Sequence, residues 1–425
     1  MKILVLSNLY PPDTLGGYEM GCSHVVEALR DRGHDVLVLT TAPRTPAPPL
    51  PYVRRGLRLT DIWDEYSFQR SAPVTSHLVQ ARSHRVDAFN VHALATTLEE
   101  FEPDVAYVWM IVGVGGLGLL GCLHHLRVPW VWHLMDDVPL MLCKAGGRLV
   151  PAFAREFERQ LRGHYLACSR QLVDEIEGGG LRLRGEVEIV PNWVRGPAPP
   201  SRTSYRRDGV LRIVAASANI DRRFDKGIDL VIESAALLRE WGRSGFAVNI
   251  FGRVADPYFP ALIRRYKLDD VVTLKGSLPQ SELQARYGDY DLFAFPTHAR
   301  EPFAFAPLEA AYRGCVPLMS ELCGNGEWFV HGVHCLKAPR TAEAFARVVA
   351  RVLDGQIDLP AIGRRAAGVV RRDFHLDAVL PTIERALACA SATTRAGAGT
   401  AAEAYRMAVL AEKLSHVLIQ EALCA

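Results

Sequence analysis

A chain of 425 residues exceeds what one ordinary hydrophobic core supports, so two domains, or three, are expected. Its 49 lysines and arginines against 47 acidic residues leave a net charge of +2, which excludes a global polyanion-binding field and a nucleic-acid partner. Nine scattered cysteines with no C-x-x-C pair exclude a disulfide frame or a zinc site and point to reduced thiols in a cytoplasmic setting. The apolar run at the N-terminus stops at Tyr10-Pro11-Pro12, too early for a secretory signal.

The stretch 1–6 reads as a first strand. A turn-rich loop from Asn8 carries Gly16-Gly17, and a helix over 20–32 closes at Gly33 before a second strand at 34–40. This β–loop–α–β opening predicts a doubly wound α/β unit. Paired glycines at a strand-to-helix junction let backbone approach a ligand, and they equally suit a plain tight turn. Residues 45–51 are proline-rich and read as a surface loop, and 54–85 as an insertion of mixed character. A helix at 87–101 leads to the uncharged stretch 105–123, nearly long enough to span a bilayer. Its five glycines and the lack of a basic cluster at its start favour a buried strand over 105–112, a glycine-rich turn and a helix to about Arg127. A short strand at 129–133 ends in His133-Leu134-Met135-Asp136-Asp137. By themselves a histidine and two aspartates there can simply close a strand. A further strand and helix span 166–177, and the Pro-, Ser- and Arg-rich stretch 195–207 predicts a domain linker.

A strand at 210–216 opens the second half as 1–6 opened the first. Arg222, Arg223 and Lys226-Gly227 follow it, ahead of an amphipathic helix over 228–241. Cations between a strand end and a helix start can neutralise a diphosphate leaving group; the two arginines also fit a solvated loop. A strand at 271–274 ends at Lys275-Gly276-Ser277-Leu278. Asp289-Tyr290-Asp291 spells a metal-binding D-x-D, but it straddles a helix end and a strand start, so no metal site is expected there or elsewhere. The apolar run 290–296 ends at Pro296 and reads as a buried strand and a break. Pro307 suits the first turn of the next helix and Gly314 its stop. Glu301 then sits at the carboxyl end of the strand and Glu309 inside the helix. That end of an open α/β sheet binds anions, although two surface glutamates would show the same spacing. Helices at 343–354 and 376–388, the second kinked or starting late at Pro381, precede a small-residue stretch at 390–399 and a helical tail over 400–423.

The segment Glu301-Pro-Phe-Ala-Phe-Ala-Pro-Leu-Glu309, followed by Gly314-Cys-Val-Pro317, resembles the E-x7-E signature of the retaining GT-B glycosyltransferases of glycosyltransferase family 4. Cys323-Gly324-Asn325-Gly326-Glu327 resembles its continuation. The loop with Pro11-Pro12 and Gly16-Gly17, the His133–Asp136 segment, Val187–Asn192 and Lys226-Gly227 resemble further family segments, so the likeness spans most of the chain. Ala304 and Cys323 stand where the family has glycine. The place of the family's arginine, five or six before Lys226, holds Asp221 or Ile220, which leaves Arg222 or Arg223 as the substitute.

The resemblance implies an α/β fold of two Rossmann-like doubly wound domains facing across a cleft (GT-B). Residues 1–200 would bind the acceptor and 208–375 the nucleotide-sugar, with helices over 376–425 packing back on the first domain. It implies metal-independent, retaining transfer of a hexose from a nucleotide-diphosphate sugar to the hydroxyl of a glycan, a lipid-linked acceptor or a small molecule. The donor is a substrate, so no cofactor is implied, and lipid-linked acceptors would bring peripheral contact with the inner membrane face. Glu301 would bind the sugar hydroxyls and Glu309 the ribose. Lys226, an arginine, the Gly16-Gly17 loop and the backbone of Phe303, Ala304 and Phe305 would meet the diphosphate, and the Gly276–Leu278 turn the base. His133 or Asp136 would line the acceptor site, in either of two registers. Two other readings fit the same motifs. One is a sugar-nucleotide epimerase of this fold; the other is a catalytically silent binding or scaffold subunit, suggested by Ala304 and the displaced arginine.

Overall fold

The computed structural model describes residues 1–44, 46, 48–60, 85–145, 148–222, 226–297, 301–392 and 397–424. Arg223 and most of the 54–85 insertion lie outside the described residues. The chain forms two compact units, Met1–Val190 with Leu380–Ala425, and Pro191–Val379.

The first unit is built on seven strands: β1 (Lys2–Leu6), β2 (Asp35–Thr41), β3 (Val53–Leu57), β4 (Val105–Val108), β5 (Trp130–Leu134), β8 (Arg162–Ala167) and β9 (Arg184–Ile189). Their order is β3-β2-β1-β4-β5-β8-β9 and every pairing is parallel. A two-stranded antiparallel hairpin, β6 (Lys144–Ala145) and β7 (Arg148–Leu149), stands apart. The helices are α1 (Gly17–Asp31), α2 (Ala88–Phe101), α3 (Gly116–His125), α4 (Val138–Cys143), α5 (Pro151–Gln160) and α6 (Arg170–Gly178). Central strands such as β4 and β5 are buried along their whole length, which is why they read as unbroken apolar runs. The strand expected over 105–112 stops at Val108, because Gly113 and Gly115 take positive φ and turn the chain into α3. Asp87 caps α2, accepting from the amides of Phe89 and Asn90 while Arg58 clasps the same carboxylate. No described helix is long and apolar enough to cross a membrane.

The second unit has six parallel strands in the order β12-β11-β10-β13-β14-β15. They are β10 (Leu211–Ile220), β11 (Phe246–Val254), β12 (Val272–Gly276), β13 (Leu292–Phe295), β14 (Val316–Ser320) and β15 (Leu336–Ala338). Around them lie α7 (Ile228–Glu240), α8 (Tyr258–Arg265), α9 (Gln280–Arg286), α10 (Phe305–Tyr312), α11 (Ala342–Leu353) and α12 (Leu359–Asp373). Both sheets are therefore doubly wound, with strand order reversing between β1 and β4 and between β10 and β13.

The chain closes with α13 (Leu376–Ser391) and α14 (Ala401–Cys424). α13 does not start late: it carries Pro381 inside it. Beyond Leu380 the chain belongs to the first unit, where Glu384 meets Arg32 and His34 and Arg385 meets Glu188. α14 lies along α2, its Glu412 accepting the Ala88 amide at 2.9 Å.

The division at Val190 falls ahead of the expected linker, because the stretch 191–207 is packed rather than free. Trp193 is buried edge-on to Phe305, and the Tyr205 hydroxyl donates to the Gly314 carbonyl at 2.6 Å. Arg202 pairs with Asp291 at 2.7 Å, and the amides of Arg206 and Arg212 donate to the same carboxylate. Asp291, half of the D-x-D, is thus a buried anchor. Removing one partner of a buried ion pair leaves the other uncompensated, so Asp291→Ala is expected to destabilise this unit by about 3–5 kcal/mol in urea unfolding.

Candidate active site

Ligands of doubly wound sheets bind where strand order reverses, at the carboxyl ends of the strands. In the second unit the loops leaving β10 and β13 meet at that point. Gly227 has a φ of +71°, and a Cβ there would lie 1.9 Å from the Pro296 carbonyl oxygen. Only glycine allows this approach. The contact sets the Lys226 ammonium directly on the Glu301 carboxylate. Glu301 is fixed from behind by a bridge to Cys323, the Gly324 amide donating to its carbonyl at 2.9 Å.

Glu309 lies in the second turn of α10, buried against α9. Gln280 and Gln284 are one turn apart on α9 and donate to Glu309 Oε1 at 2.9 and 2.8 Å. Burial pushes the Glu309 carboxyl above its ordinary range, and the two amides act against that rise. Nearby, the buried Asn192 donates to the Phe303 carbonyl at 2.7 Å. The Asn325 carboxamide takes both polar groups of Ala304, its oxygen accepting the amide at 2.8 Å and its nitrogen donating to the carbonyl at 2.9 Å. The Cys323 thiol donates to the same Asn325 oxygen at 3.2 Å. The Ala304 amide, expected to meet a diphosphate, is therefore committed to Asn325. Gly276 ends β12 at a φ of +73°, and Leu278 follows half-buried.

Arg222 departs from its expected role. Its guanidinium is exposed, bonded to Asp256 at 2.7 Å and stacked on the Tyr258 ring at 4.6 Å. Arg223 lies outside the described residues.

In the first unit the loop before α1 is held by an acid. Glu19 is buried and accepts the amides of Leu15 and Gly16 at 3.1 and 3.0 Å, next to Gly17. Burial raises its carboxyl pKa, opposed by those amides. The Tyr18 hydroxyl then latches α1 to the end of β5, donating to the His133 carbonyl at 3.0 Å and accepting from the Met135 amide at 2.8 Å. His133 is no surface group. It is fully buried, stacked on Trp109 at 4.5 Å with Nδ1 2.7 Å from the Tyr107 hydroxyl. Burial pulls its pKa down to about 3, so the ring is neutral. This corrects its assignment to the acceptor site: β5 turns the side chain into the core. Asp136, just past the strand end, is part-exposed and is the accessible member of the pair.

Among the described residues one trio has metal-ligand geometry, His164, Glu186 and Glu188. Sequence spacing hides it because its members pair across β8 and β9. His164 Nε2 lies 2.8 Å from Glu188, whose carboxylate is also held by Arg385 at 2.6 Å. The trio is knit together by this chain's own charges.

Sequence reasoning gave no role to Asn192, Asn325, Gln280, Gln284 or Glu19, all of which hold the site's backbone or carboxylates. The Gln-x-x-x-Gln spacing on α9 was one available signal, since it sets both amides on one helix face.

Two parallel doubly wound sheets, each with a polar cluster at its reversal point, define a two-unit α/β class with ligand sites at the strand ends. Family models match residues 16–193 as "Glycosyl transferase 4-like domain" and 202–368 as "Glycosyl transferases group 1". The chain belongs to the GT-B glycosyltransferases of the family 4 type and is a nucleotide-sugar glycosyltransferase. It is 24% identical to glycogen synthase of Mycobacterium tuberculosis over 413 residues, 91% of this chain and 94% of that protein. The amylovoran biosynthesis glycosyltransferase AmsK of Erwinia amylovora is 27% identical over 172 residues, 39% of this chain and 41% of that one. Among solved structures, HepE of Anabaena in complex with UDP and glucose has a TM-score of 0.64 at 17% identity, covering 92% of this chain and 100% of its own. Sucrose-phosphate synthase of Thermosynechococcus elongatus has 0.66 at 17%, covering 90% and 97%. Both share the fold.

The raised Glu309 pKa has a stability consequence. A carboxyl whose pKa is raised by burial costs the native state stability wherever it is ionised, and that cost disappears once pH falls below the carboxylate range. Glu309→Gln, which keeps an acceptor for both glutamines, is expected to raise stability at pH 7. The gain should fade towards pH 4 in urea unfolding measured across pH.

Proposed function

We propose that this enzyme transfers a hexosyl group from a nucleoside-diphosphate sugar to an acceptor hydroxyl with retention at the anomeric carbon, without metal or cofactor. The observation that carries this reading is the Lys226–Glu301 pair at the reversal point of the second sheet, with Glu309 on the helix that follows. Departure of a nucleoside diphosphate develops negative charge, and a preorganised cation there lowers the barrier. Lys226 supplies that cation. Donor binding draws the ammonium onto the diphosphate and frees Glu301 to accept from the sugar hydroxyls. Glu309 has Oε1 held by the two glutamines, so its other oxygen serves the ribose hydroxyls. The Phe303 and Phe305 backbone completes the phosphate cradle, and the Gly276–Leu278 turn receives the base.

Glu301, paired with a lysine, is a hydrogen-bond acceptor rather than a nucleophile. The same-face route, in which the leaving phosphate itself takes the acceptor proton, needs no second carboxylate. In the first unit Asp136 is the group offered to the acceptor. Glycogen synthase and AmsK among the relatives support a carbohydrate acceptor, and HepE with UDP-glucose supports a nucleotide-sugar donor. The unpaired cysteines of the described chain favour a reducing, cytoplasmic setting.

A thermal-shift screen with UDP-, GDP-, ADP- and dTDP-glucose tests the donor site, since a ligand of the folded state raises its apparent stability. One base should give a clear shift; none at millimolar ligand would overturn the site. Lys226→Ala should lower kcat by about 10²–10³, the loss typical of removing one donor that stabilises transition-state charge. Glu301→Ala should abolish transfer, and full turnover by that variant would refute its role.

A further inference from the structure

A groove of about 740 Å³ runs along α14 in the first unit, within the size range of ligand pockets. Leu117, Phe153 and Phe157 form one wall, and Met407, Leu414 and Leu418 the other. Met407 and Leu414 are 56% and 63% exposed although they line it, an unusual exposure for large apolar side chains. A Cβ added at Gly121 on α3 would meet nothing within 4 Å.

At the floor lies Arg85, 1% exposed. Its Nη2 donates to the Lys144 carbonyl at 3.1 Å, and its guanidinium lies over the Phe153 ring at 3.4 Å. Among the described residues its Nε and Nη1 have no oxygen or nitrogen partner, and the Cys143 thiol is the polar group set against the guanidinium. Burial pulls the Arg85 pKa down to about 9, a cost that a buried acceptor would relieve. Among the described residues the one acid lining the groove, Glu156, is taken by Arg159 and Gln160. An apolar wall alone would accept many partners. Nε and Nη1 of one planar guanidinium select an acidic head, because carboxylate and phosphate match that fork.

We propose that this groove binds an anionic amphiphile, its acidic head on Arg85 and its aliphatic chain between α14, α3 and α5. α14 lies beyond residue 368, where the family match ends. The site is separate from the transfer chemistry and does not depend on it.

Isothermal titration of the full chain with hexadecanoate, hexadecyl phosphate and hexadecanol, each below its aggregation threshold, tests this. Both acids should bind one to one, and hexadecanol about tenfold more weakly or worse, the loss of a charge-assisted hydrogen bond. The stronger of the two acids then names the head. Arg85→Gln should erase that preference. Gly121→Leu should abolish binding of all three while the nucleotide-sugar thermal shift stays unchanged. If Arg85→Gln does not fold, the hexadecanol comparison and Gly121→Leu still decide. Equal binding of hexadecanol, acid binding untouched by Gly121→Leu, no binding by any probe, or a groove closed by self-association through α14 would each overturn the proposal.

Discussion

Two backbones touch where the second sheet reverses its strand order, and the candidate active site depends on that contact. Gly227 approaches the Pro296 carbonyl more closely than any side-chain-bearing residue could. The loops from β10 and β13 are thereby held in register, and Lys226 faces Glu301. A second close approach repeats the device, for a Cβ at Gly324 would lie 1.6 Å from the Pro302 carbonyl oxygen. Glu301 is thus pinned between two loops that only glycines allow to meet.

Around this point the chain satisfies its own loops with side chains. Glu19 holds the loop before α1, Asn325 both polar groups of Ala304, and Asn192 the Phe303 carbonyl. Such internal bonds keep a ligand-facing backbone in shape without the ligand, the preorganisation that electrostatic catalysis requires. They also decide what remains on offer. The Ala304 amide and Arg222 are engaged elsewhere, which among the described residues leaves Lys226 as the cation set against Glu301.

Burial sorts the remaining polar residues by role. His133 and Asp136 are three apart in sequence, yet one is sealed in an aromatic stack and the other reaches the surface. Asp291 and Arg202 form a buried pair that ties the stretch after Pro191 onto the second sheet, turning what reads as a linker into part of a domain. Arg85 is buried as deeply, and among the described residues its Nε and Nη1 have no oxygen or nitrogen partner.

The alternation of apolar runs and amphipathic stretches determined the two doubly wound units, since parallel strands covered on both faces and helices covered on one leave distinct periodicities. The Glu301–Glu309 spacing likewise placed one carboxylate after a strand and the other in a helix, because that pattern is local. Partnership across distant segments was decided only by the tertiary structure. Nothing near Lys226 in the chain names Glu301, and nothing near Arg222 names Asp256. Gln280 and Gln284 find Glu309, and Asn192 finds Phe303, through packing of elements far apart in sequence. The boundary at Val190 and the depth of His133 follow the same rule. Composition describes a segment's own preferences, while burial depends on what the rest of the chain lays over it.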